Sequence, residues 1–258
     1  MTTPLLGVNI DHIATLRNAR GTDYPCPVEG VKICEQAGAD GITLHLREDR
    51  RHIKDADVYA IKKAIKTRMN LEMAVTDEML AIALDVKPDW VCLVPEKRTE
   101  LTTEGGLDIA SLAEMLNLQQ FIRQLQRAHL RNMTLQELQS ISGIGRIKAI
   151  ELQADAIELH TGAYAQASLA NNQEALEYEL ERIKQATTYA KKYSNMLVNA
   201  GHGLTKHNVS AIADIVGIYE LNIGHAIIAD AVFVGLAQAV KGMKDILQKG
   251  RELNNYAN

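Results

Sequence analysis

Short apolar runs alternate with amphipathic stretches along most of the chain. Each run is nearly continuous in hydrophobicity, which is typical of strands buried on both faces of a parallel sheet. The seven runs are Leu5–Ile10, Gly41–Leu46, Leu71–Val75, Trp90–Val94, Ala156–Leu159, Met196–Asn199 and Leu221–Ile223.

The stretches between these runs repeat apolar residues at the spacing of one helix face. The clearest predicted helices are Asp77–Val86, Glu174–Lys192, Val209–Val216 and Ala231–Leu247. Thr76 with Asp77, and Asn208 before Val209, are typical helix starts. The final segment, Arg251–Asn258, is expected to fray.

Alternating strands and helices predict a parallel sheet with right-handed crossovers. The chain has 258 residues, and a single barrel takes about 250. We therefore predict the α/β class, a (β/α)8 TIM barrel with extra helices, as a single domain over residues 1–258. An eighth strand is sought between Thr103 and Ala156, with Leu130–Leu135 as the best candidate. The alternative is an open doubly wound sheet, which the lack of a glycine-rich dinucleotide motif after the first strand disfavours.

The composition narrows the possible partners. A net charge of -4 gives no general attraction to nucleic acid or an anionic membrane, so any phosphate site has to be local. Three cysteines without paired spacing indicate neither a disulfide framework nor a cysteine zinc site. Met1–Leu6 carries no secretory signal, and no apolar run approaches the roughly 18–20 residues of a membrane span. We therefore expect a cytoplasmic protein.

Ionisable and amide side chains cluster at the carboxyl ends of the predicted strands. They include Asn9, Asp11, His12, His45, Arg47, His52, Glu72, Glu158, His160, Asn199, His202, Asn222 and His225. In a barrel these ends meet on one face, where active sites of this architecture lie. A single histidine in a strand is more often a core residue whose hydrogen bonds are satisfied. Polar side chains at the ends of so many strands, taken together, predict an active site.

Strand alternation places His45 and Arg47 on one face of their strand. Glu72 lies in an otherwise apolar strand, so it must find a partner or be held neutral by burial. Alternatively, Glu72 forms a buried ion pair with an arginine and has only a structural role in the barrel.

Two glycine-containing turns, Asn199–Thr205 and Asn222–Ala226, follow the last two strands. Glycines let backbone N–H groups approach an anion, and a helix N-terminus behind them adds positive charge. Such turns form the usual phosphate site of a barrel, although they could also be ordinary connections. Arg17 and Arg20, which we assign to a long loop after the first strand, either clamp a phosphate or form solvated surface.

Two other chemistries are disfavoured. The rim histidines and acids suggest a metal site, but no tight ligand spacing such as HExxH occurs. Ile141–Lys148 resembles the glycine hairpin of DNA-binding modules, but it occurs once, in a chain of net negative charge. We expect neither a metal nor nucleic-acid binding.

Eight stretches are long, in order and rich in the polar residues named above. They are Leu6–Gly21, Ala37–Ile53, Arg68–Val75, Val94–Arg98, Leu101–Leu107, Ile157–Gly162, Val198–Thr205 and Glu220–Ala226. These stretches resemble the pyridoxine 5'-phosphate synthase family. The resemblance implies a barrel assembled into a homo-octamer, acting on small-molecule phosphorylated substrates without a metal or organic cofactor. In the implied reaction, 1-deoxy-D-xylulose 5-phosphate condenses with 3-amino-2-oxopropyl phosphate to give pyridoxine 5'-phosphate, phosphate and water.

The resemblance also implies residue roles. The proton acceptor is His45 with Glu72 beside it, and the proton donor is His202. The aminoketone phosphate would be held by Asn9, Arg20, Gly203, Gly224 and His225. The deoxyxylulose phosphate would be held by Asp11, His12, Arg47, His52 and Thr102. The chain departs from the family over Leu112–Ile150, where the family usually has an apolar fifth strand ending in Asp.

Two other classes of protein stay open. One is another phosphate-handling barrel enzyme, either an isomerase or a different synthase. Such an enzyme needs one phosphate site, so the presence of two candidate phosphate sites, at Arg20 and at Arg47, disfavours it. A non-catalytic nucleic-acid module would leave the rim histidines idle and would bind DNA in a salt-dependent way.

Overall fold

A computed structural model of the protein describes residues 3–96, 112–136 and 154–255. Over these residues, eight parallel strands close into a barrel in chain order, so the predicted TIM-barrel class is confirmed. The strands are β1 Leu5–Asn9, β2 Gly41–His45, β3 Arg68–Met73, β4 Trp90–Leu93, β5 Arg131–Gln136, β6 Ala156–His160, β7 Leu197–Gly201 and β8 Ile218–Ile223.

Helices connect the strands and cover the outside of the barrel. They are α1 Asp11–Arg20, α2 Pro27–Gln36, α3 Asp55–Ala64, α4 Asp77–Val86, α5 Leu112–Arg127, α6 Gly162–Leu169, α7 Gln173–Tyr193, α8 Val209–Ala213, α9 His225–Val234 and α10 Leu236–Asn255. Two helices follow each of β1, β6 and β8, so the predicted extra helices are present. Within the described ranges, every helix is too short or too polar to span a bilayer.

The strands turn apolar side chains outward to the helices and polar side chains into the lumen. On β2, Ile42 and Leu44 are fully buried in the apolar core. Between them, Thr43 Oγ1 donates to Asn222 Oδ1 at 3.0 Å and accepts from Asn70 Nδ2 at 3.3 Å across the lumen. The strands therefore alternate between outward apolar side chains and inward polar ones, although their sequences are almost continuously hydrophobic. The inward positions hold hydroxyl, amide and carboxyl groups.

The uncertain fifth strand is present within one residue of its predicted position. β5 pairs in parallel with β4 and β6, which closes the barrel. Its first residue, Arg131, pairs with Trp90, and the guanidinium carbon lies 5.3 Å from the Trp90 ring centroid. This cation–π contact gives a charged residue a stable place at the start of a barrel strand. The predicted hairpin-like turn Ile141–Lys148 lies outside the described residues.

The predicted long loop after the first strand is wrong, because that segment forms α1. The helix ends at Gly21, which adopts the left-handed conformation with φ 71°. Arg17 donates two hydrogen bonds to Asp57, at 2.6 and 2.8 Å, and so ties α1 to α3. Arg17 is therefore a buried structural residue, whereas Arg20 is exposed at the last position of α1.

Other helix bounds agree in part with the predictions. α4 has the predicted limits, and Thr76 caps it by accepting the Met79 N–H at 3.3 Å. The single helix expected over Ala231–Leu247 is interrupted at Gly235, whose φ of 83° with ψ of 149° is accessible mainly to glycine. α8 stops at Ala213, before the predicted Val216. α10 continues to Asn255, within the tail that was expected to fray, whose residues 256–258 lie outside the described residues.

Candidate active site

A cavity of about 330 Å³ opens at the carboxyl ends of the strands. Eleven of the thirteen predicted site residues line this cavity: Asn9, Asp11, His12, His45, Arg47, His52, Glu72, His202, Gly203, Gly224 and His225. Arg20 is exposed at the end of α1 and does not line it. Thr102 lies outside the described residues. The structure thus brings most of the predicted set together, while the role of each residue stays a prediction.

His45 lies at the end of β2 between two carboxyl groups. Its Nε2 is 2.8 Å from Glu96 Oε1, and its Nδ1 is 3.7 Å from Glu72 Oε2. Its backbone N–H donates to Asp11 Oδ1 at 2.8 Å. Because the His45 side chain is only 6% exposed, the ring is held in the cavity wall with an acid beside each nitrogen.

Glu72 pairs in register with His45 across β2 and β3. Burial raises the pKa of Glu72 well above the ordinary carboxyl value, and the charges of Glu158 and Asp11 raise it further. The protonated form of Glu72 is therefore favoured up to a higher pH than for an ordinary carboxyl group, and a protonated carboxyl group can donate a hydrogen bond. The alternative tie to an arginine is not found among the described residues, since Arg68 on the same strand pairs with Glu220 at 2.5 Å.

Glu158 on β6 is a second buried acid of the lumen. Burial raises its pKa to about 7, against the hydrogen bond from Asn222, which lowers it, while the Glu220 charge raises it. Asn222 Nδ2 donates to Glu158 Oε2 at 2.5 Å. A Cβ atom at Gly201 would lie 2.6 Å from Glu158 Oε1, so glycine at that position leaves room for the carboxyl group. A pKa near the working pH suits proton exchange.

His202 follows β7 and stacks on His160 at the end of β6. The two ring centroids are 4.2 Å apart with an interplanar angle of 30°. The His202 backbone has φ 90°, in the left-handed region, and its carbonyl accepts the Thr161 hydroxyl at 2.6 Å. A non-glycine residue held in this conformation beside a cavity is typical of a functional position.

Three histidines group on another side of the cavity. The His12 ring lies 5.2 Å from that of His225 and 6.0 Å from that of His52, centroid to centroid. Burial lowers the pKa of both His12 and His52, more than the Asp11 charge raises it. Burial therefore favours the neutral form of both imidazoles, whereas an entering phosphate would favour their protonation.

The two glycine turns lie where the sequence placed them. Gly203 has φ 74°, and Gly224 precedes the first residue of α9. A Cβ atom at Gly224 would come within 2.9 Å of the Asn9 Cβ, so a larger residue would displace a cavity-lining side chain. The start of α9 adds unpaired backbone N–H groups, which favour an anion.

Although the sequence already placed Glu158, His160 and Asn222 among the polar strand ends, eight lining residues received no individual role from it. They are Val94, Glu158, His160, Leu204, Thr205, Asn222, Ile223 and Ala226. The signal for Glu158 was available, because it is an acid in an apolar strand, as Glu72 is. Glu96 was also missed as a functional residue, although its side chain is only 5% exposed and contacts His45 directly.

Asp11, His45 and Glu72 place three possible metal-ligating atoms within 4.8 Å of one another. Asp11 already accepts the His45 N–H and the Asn9 amide, and His45 Nε2 is bonded to Glu96. The raised pKa of Glu72 disfavours the deprotonated form that binds a metal. The arrangement suits proton transfer better than metal binding, and the absence of a metal stays a prediction.

Comparison with known proteins gives one consistent family. The family model described as Pyridoxal phosphate biosynthesis protein PdxJ matches residues 6–249. A pyridoxine 5'-phosphate synthase of Photobacterium profundum is 56% identical over 95% of this chain and 97% of its own. The protein of the same name from Pseudoalteromonas translucida is 53% identical over 96% of this chain and 98% of its own.

Solved structures agree on the fold. A tryptophan synthase chain from M. tuberculosis superimposes with a TM-score of 0.60, covering 96% of this chain and 92% of that chain. The sequence identity is 13%, so this likeness shows the shared fold alone.

Proposed function

The chain belongs to the family of the pyridoxal phosphate biosynthesis protein PdxJ, and we propose that it is a pyridoxine 5'-phosphate synthase. It condenses 1-deoxy-D-xylulose 5-phosphate with 3-amino-2-oxopropyl phosphate and releases pyridoxine 5'-phosphate, phosphate and water. The observation that carries this proposal is the geometry of the cavity, in which His45 and Glu72 lie side by side. The same cavity is lined by histidine, arginine and glycine residues that suit phosphate binding.

The chemistry of ring formation requires repeated proton transfer. Joining an amine to a ketone and eliminating water each move protons on and off carbon, nitrogen and oxygen. In the proposed roles, His45 accepts protons, Glu72 exchanges them beside it, and His202 donates to a departing oxygen. Histidine suits this work because its ordinary pKa is about 6.5.

Two phosphates need two anion sites in the same cavity. The glycine turns and the start of α9, with Asn9 and His225, are proposed to hold the aminoketone phosphate that the product retains. The other side, formed by Asp11, His12, Arg47 and His52, is proposed to hold the deoxyxylulose phosphate. Arg20 and Thr102 keep their proposed roles on the family resemblance alone.

The remaining proposals concern the whole chain. We propose a single domain over residues 1–258, since α10 at the C-terminal end packs against α2, α8 and α9. We propose a cytoplasmic location, with which three free cysteines are consistent. A homo-octamer is proposed on the family resemblance, and the run of exposed apolar side chains on α9 is consistent with contacts between subunits.

A product assay tests the proposed function. Purified protein is mixed with both phosphorylated ketones, and pyridoxine 5'-phosphate is followed by absorbance and mass. We expect product only when both substrates are present. Conversion of either ketone alone would favour another phosphate-handling barrel enzyme, and no reaction from folded protein would contradict the proposal.

A further inference from the structure

Glu96 lies outside the predicted catalytic set, yet it is bonded to the central histidine of that set. We propose that Glu96 is a positioning residue that fixes the tautomer of His45, so that the basic lone pair of the neutral ring lies on Nδ1. The catalytic meaning of this inference rests on the proposed function, whereas the tautomer is a property of the free protein.

Both carboxylate oxygens of Glu96 are engaged. Oε1 lies 2.8 Å from His45 Nε2, and Oε2 accepts the backbone N–H of Glu48 at 3.0 Å. Glu96 follows β4, whereas Glu48 follows β2, so the side chain links the ends of two strands that lie on either side of β3. With its side chain 5% exposed, Glu96 has a single defined orientation against the histidine ring.

The protonation state of Glu96 determines which nitrogen of His45 carries hydrogen. Burial acts to raise the pKa of Glu96, but the bonds to His45 and Glu48 and the charge of Arg47 outweigh it, so the pKa is lowered. An ionised carboxylate has no hydrogen to donate. Neutral His45 must therefore place its hydrogen on Nε2, and its lone pair on Nδ1.

The free lone pair then faces Glu72, whose Oε2 is 3.7 Å from Nδ1. In a proton abstraction, Nδ1 forms the new N–H bond, and the electron pair of the broken bond stays on the substrate. The resulting imidazolium is balanced by the Glu96 carboxylate at the opposite nitrogen. With the hydrogen on Nδ1 instead, the ring could not accept a proton at the nitrogen beside Glu72.

The Glu96→Gln variant is expected to reverse the tautomer. The glutamine amide has one acceptor oxygen, which pairs with the Glu48 N–H, so its NH2 group is directed at His45 Nε2. Because that group only donates, Nε2 becomes an acceptor and the hydrogen moves to Nδ1. Solid-state 15N NMR of histidine-labelled protein measures this directly, with His45→Asn used to assign the signals.

Kinetics separate this role from a merely structural one. In Glu96→Ala, water can accept the Nε2 hydrogen, so the productive tautomer is partly kept. We therefore expect Glu96→Gln to lose about 10²-fold or more in kcat, within the usual range for general acid–base catalysis, and to be the less active of the two variants. A structural role predicts the opposite order, since glutamine is the closer replacement. KM is expected to stay near the wild-type value in both, because Glu96 does not line the cavity.

Glu78→Gln is the matched control, since it removes an exposed carboxylate of α4 and should leave both the tautomer and kcat unchanged. The inference is overturned if the wild-type hydrogen lies on Nδ1, if Glu96→Gln keeps it on Nε2, or if Glu96→Gln is the more active variant. Wild-type protein that shows the expected tautomer but forms no product would contradict the proposed function and leave the assignment of Glu96 intact.

Discussion

Three glutamates of the barrel lumen, Glu72, Glu158 and Glu220, are buried where an apolar core would be more stable. Burial raises the pKa of each, although the ion pair with Arg68 moderates the effect at Glu220. A buried carboxyl that stays protonated at neutral pH weakens the fold relative to an uncharged replacement. Glu72 and Glu158 line the cavity, and a raised carboxyl pKa beside a cavity favours a role in proton transfer.

The pH dependence of stability should depend on Glu158. Its pKa rises from 4.5 to about 7 on folding, so the native state holds a proton that the unfolded state releases. Stability is therefore lost as pH rises from 4.5 to about 7, and it stays lower above pH 7, by up to about 3 kcal/mol. We expect Glu158→Gln to raise Tm relative to wild type at pH 8 but hardly at pH 5, as measured by thermal unfolding.

The control for that measurement is Glu181→Gln, which changes an exposed carboxylate of α7. Its small effect on Tm should be the same at both pH values. Equal Tm differences between Glu158→Gln and wild type at pH 5 and pH 8 would show that Glu158 does not retain its proton in the native state.

Replacement of the proposed proton acceptor and donor should abolish most turnover without unfolding the protein. His45→Asn and His202→Asn each keep a polar side chain but lose the exchangeable imidazole, so we expect kcat to fall by about 10²- to 10⁴-fold. The product assay with circular dichroism as a folding check measures both effects. His207→Asn, an exposed histidine outside the cavity lining, should keep normal turnover. Near-normal kcat in either cavity variant would refute the role given to that residue.

At the scale of single elements, the turn after β7 combines an unusual backbone with close packing. Gly203 has φ 74°, and a Cβ atom there would lie 2.6 Å from the Ala165 Cβ. We expect Gly203→Ala to cost about 1–2 kcal/mol of backbone strain and to raise KM for 3-amino-2-oxopropyl phosphate, because the turn must shift. Steady-state kinetics and thermal unfolding measure the two effects.

Gly38→Ala is the control that separates the effect of backbone strain on Tm from the effect of phosphate binding on KM. Gly38 also has a positive φ, 98°, but a Cβ atom there would contact nothing within 4 Å, and it precedes β2 at the opposite end of the barrel. This variant should lower Tm while KM stays unchanged. If Gly203→Ala lowers Tm in the same way and leaves KM unaltered, the turn does not hold the phosphate.

Helices and strands were predicted correctly from the sequence where the hydrophobic period agrees with the burial of the residues. The predictions failed where contacts between distant parts of the chain determine the local structure. β5 was placed correctly, but the sequence offered no reason for Arg131, which the structure supplies in the Trp90 ring. α1 was taken for a loop because its polar residues suggested a binding segment, whereas Arg17 is bonded to Asp57 on α3. The site was largely predictable because strand ends must converge. The bond of Glu96 to His45 was not, because it joins the last residue of β2 to the segment after β4, and no local pattern reveals that contact.

At the scale of the whole molecule, the barrel buries its own strands but leaves an apolar surface on α9. Val232, Phe233 and Val234 are consecutive and exposed, and Phe233 is 88% accessible. A phenylalanine left almost fully in water is typical of a surface that another protein covers. In the proposed homo-octamer, a second copy of the chain covers this apolar surface.

The proposed assembly predicts the mass of the protein in solution. Light scattering coupled to size exclusion should give about eight times the chain mass of 28.5 kDa. Phe233→Asp places a charge in the apolar surface, where desolvation opposes its burial, so we expect a smaller species at the same protein concentration. Tyr178→Asp introduces the same charge at another exposed aromatic residue, on α7, and should leave the mass unchanged. An undiminished mass for Phe233→Asp would mean that α9 takes no part in the contacts between subunits, and a wild-type mass of a single chain would refute the octamer itself.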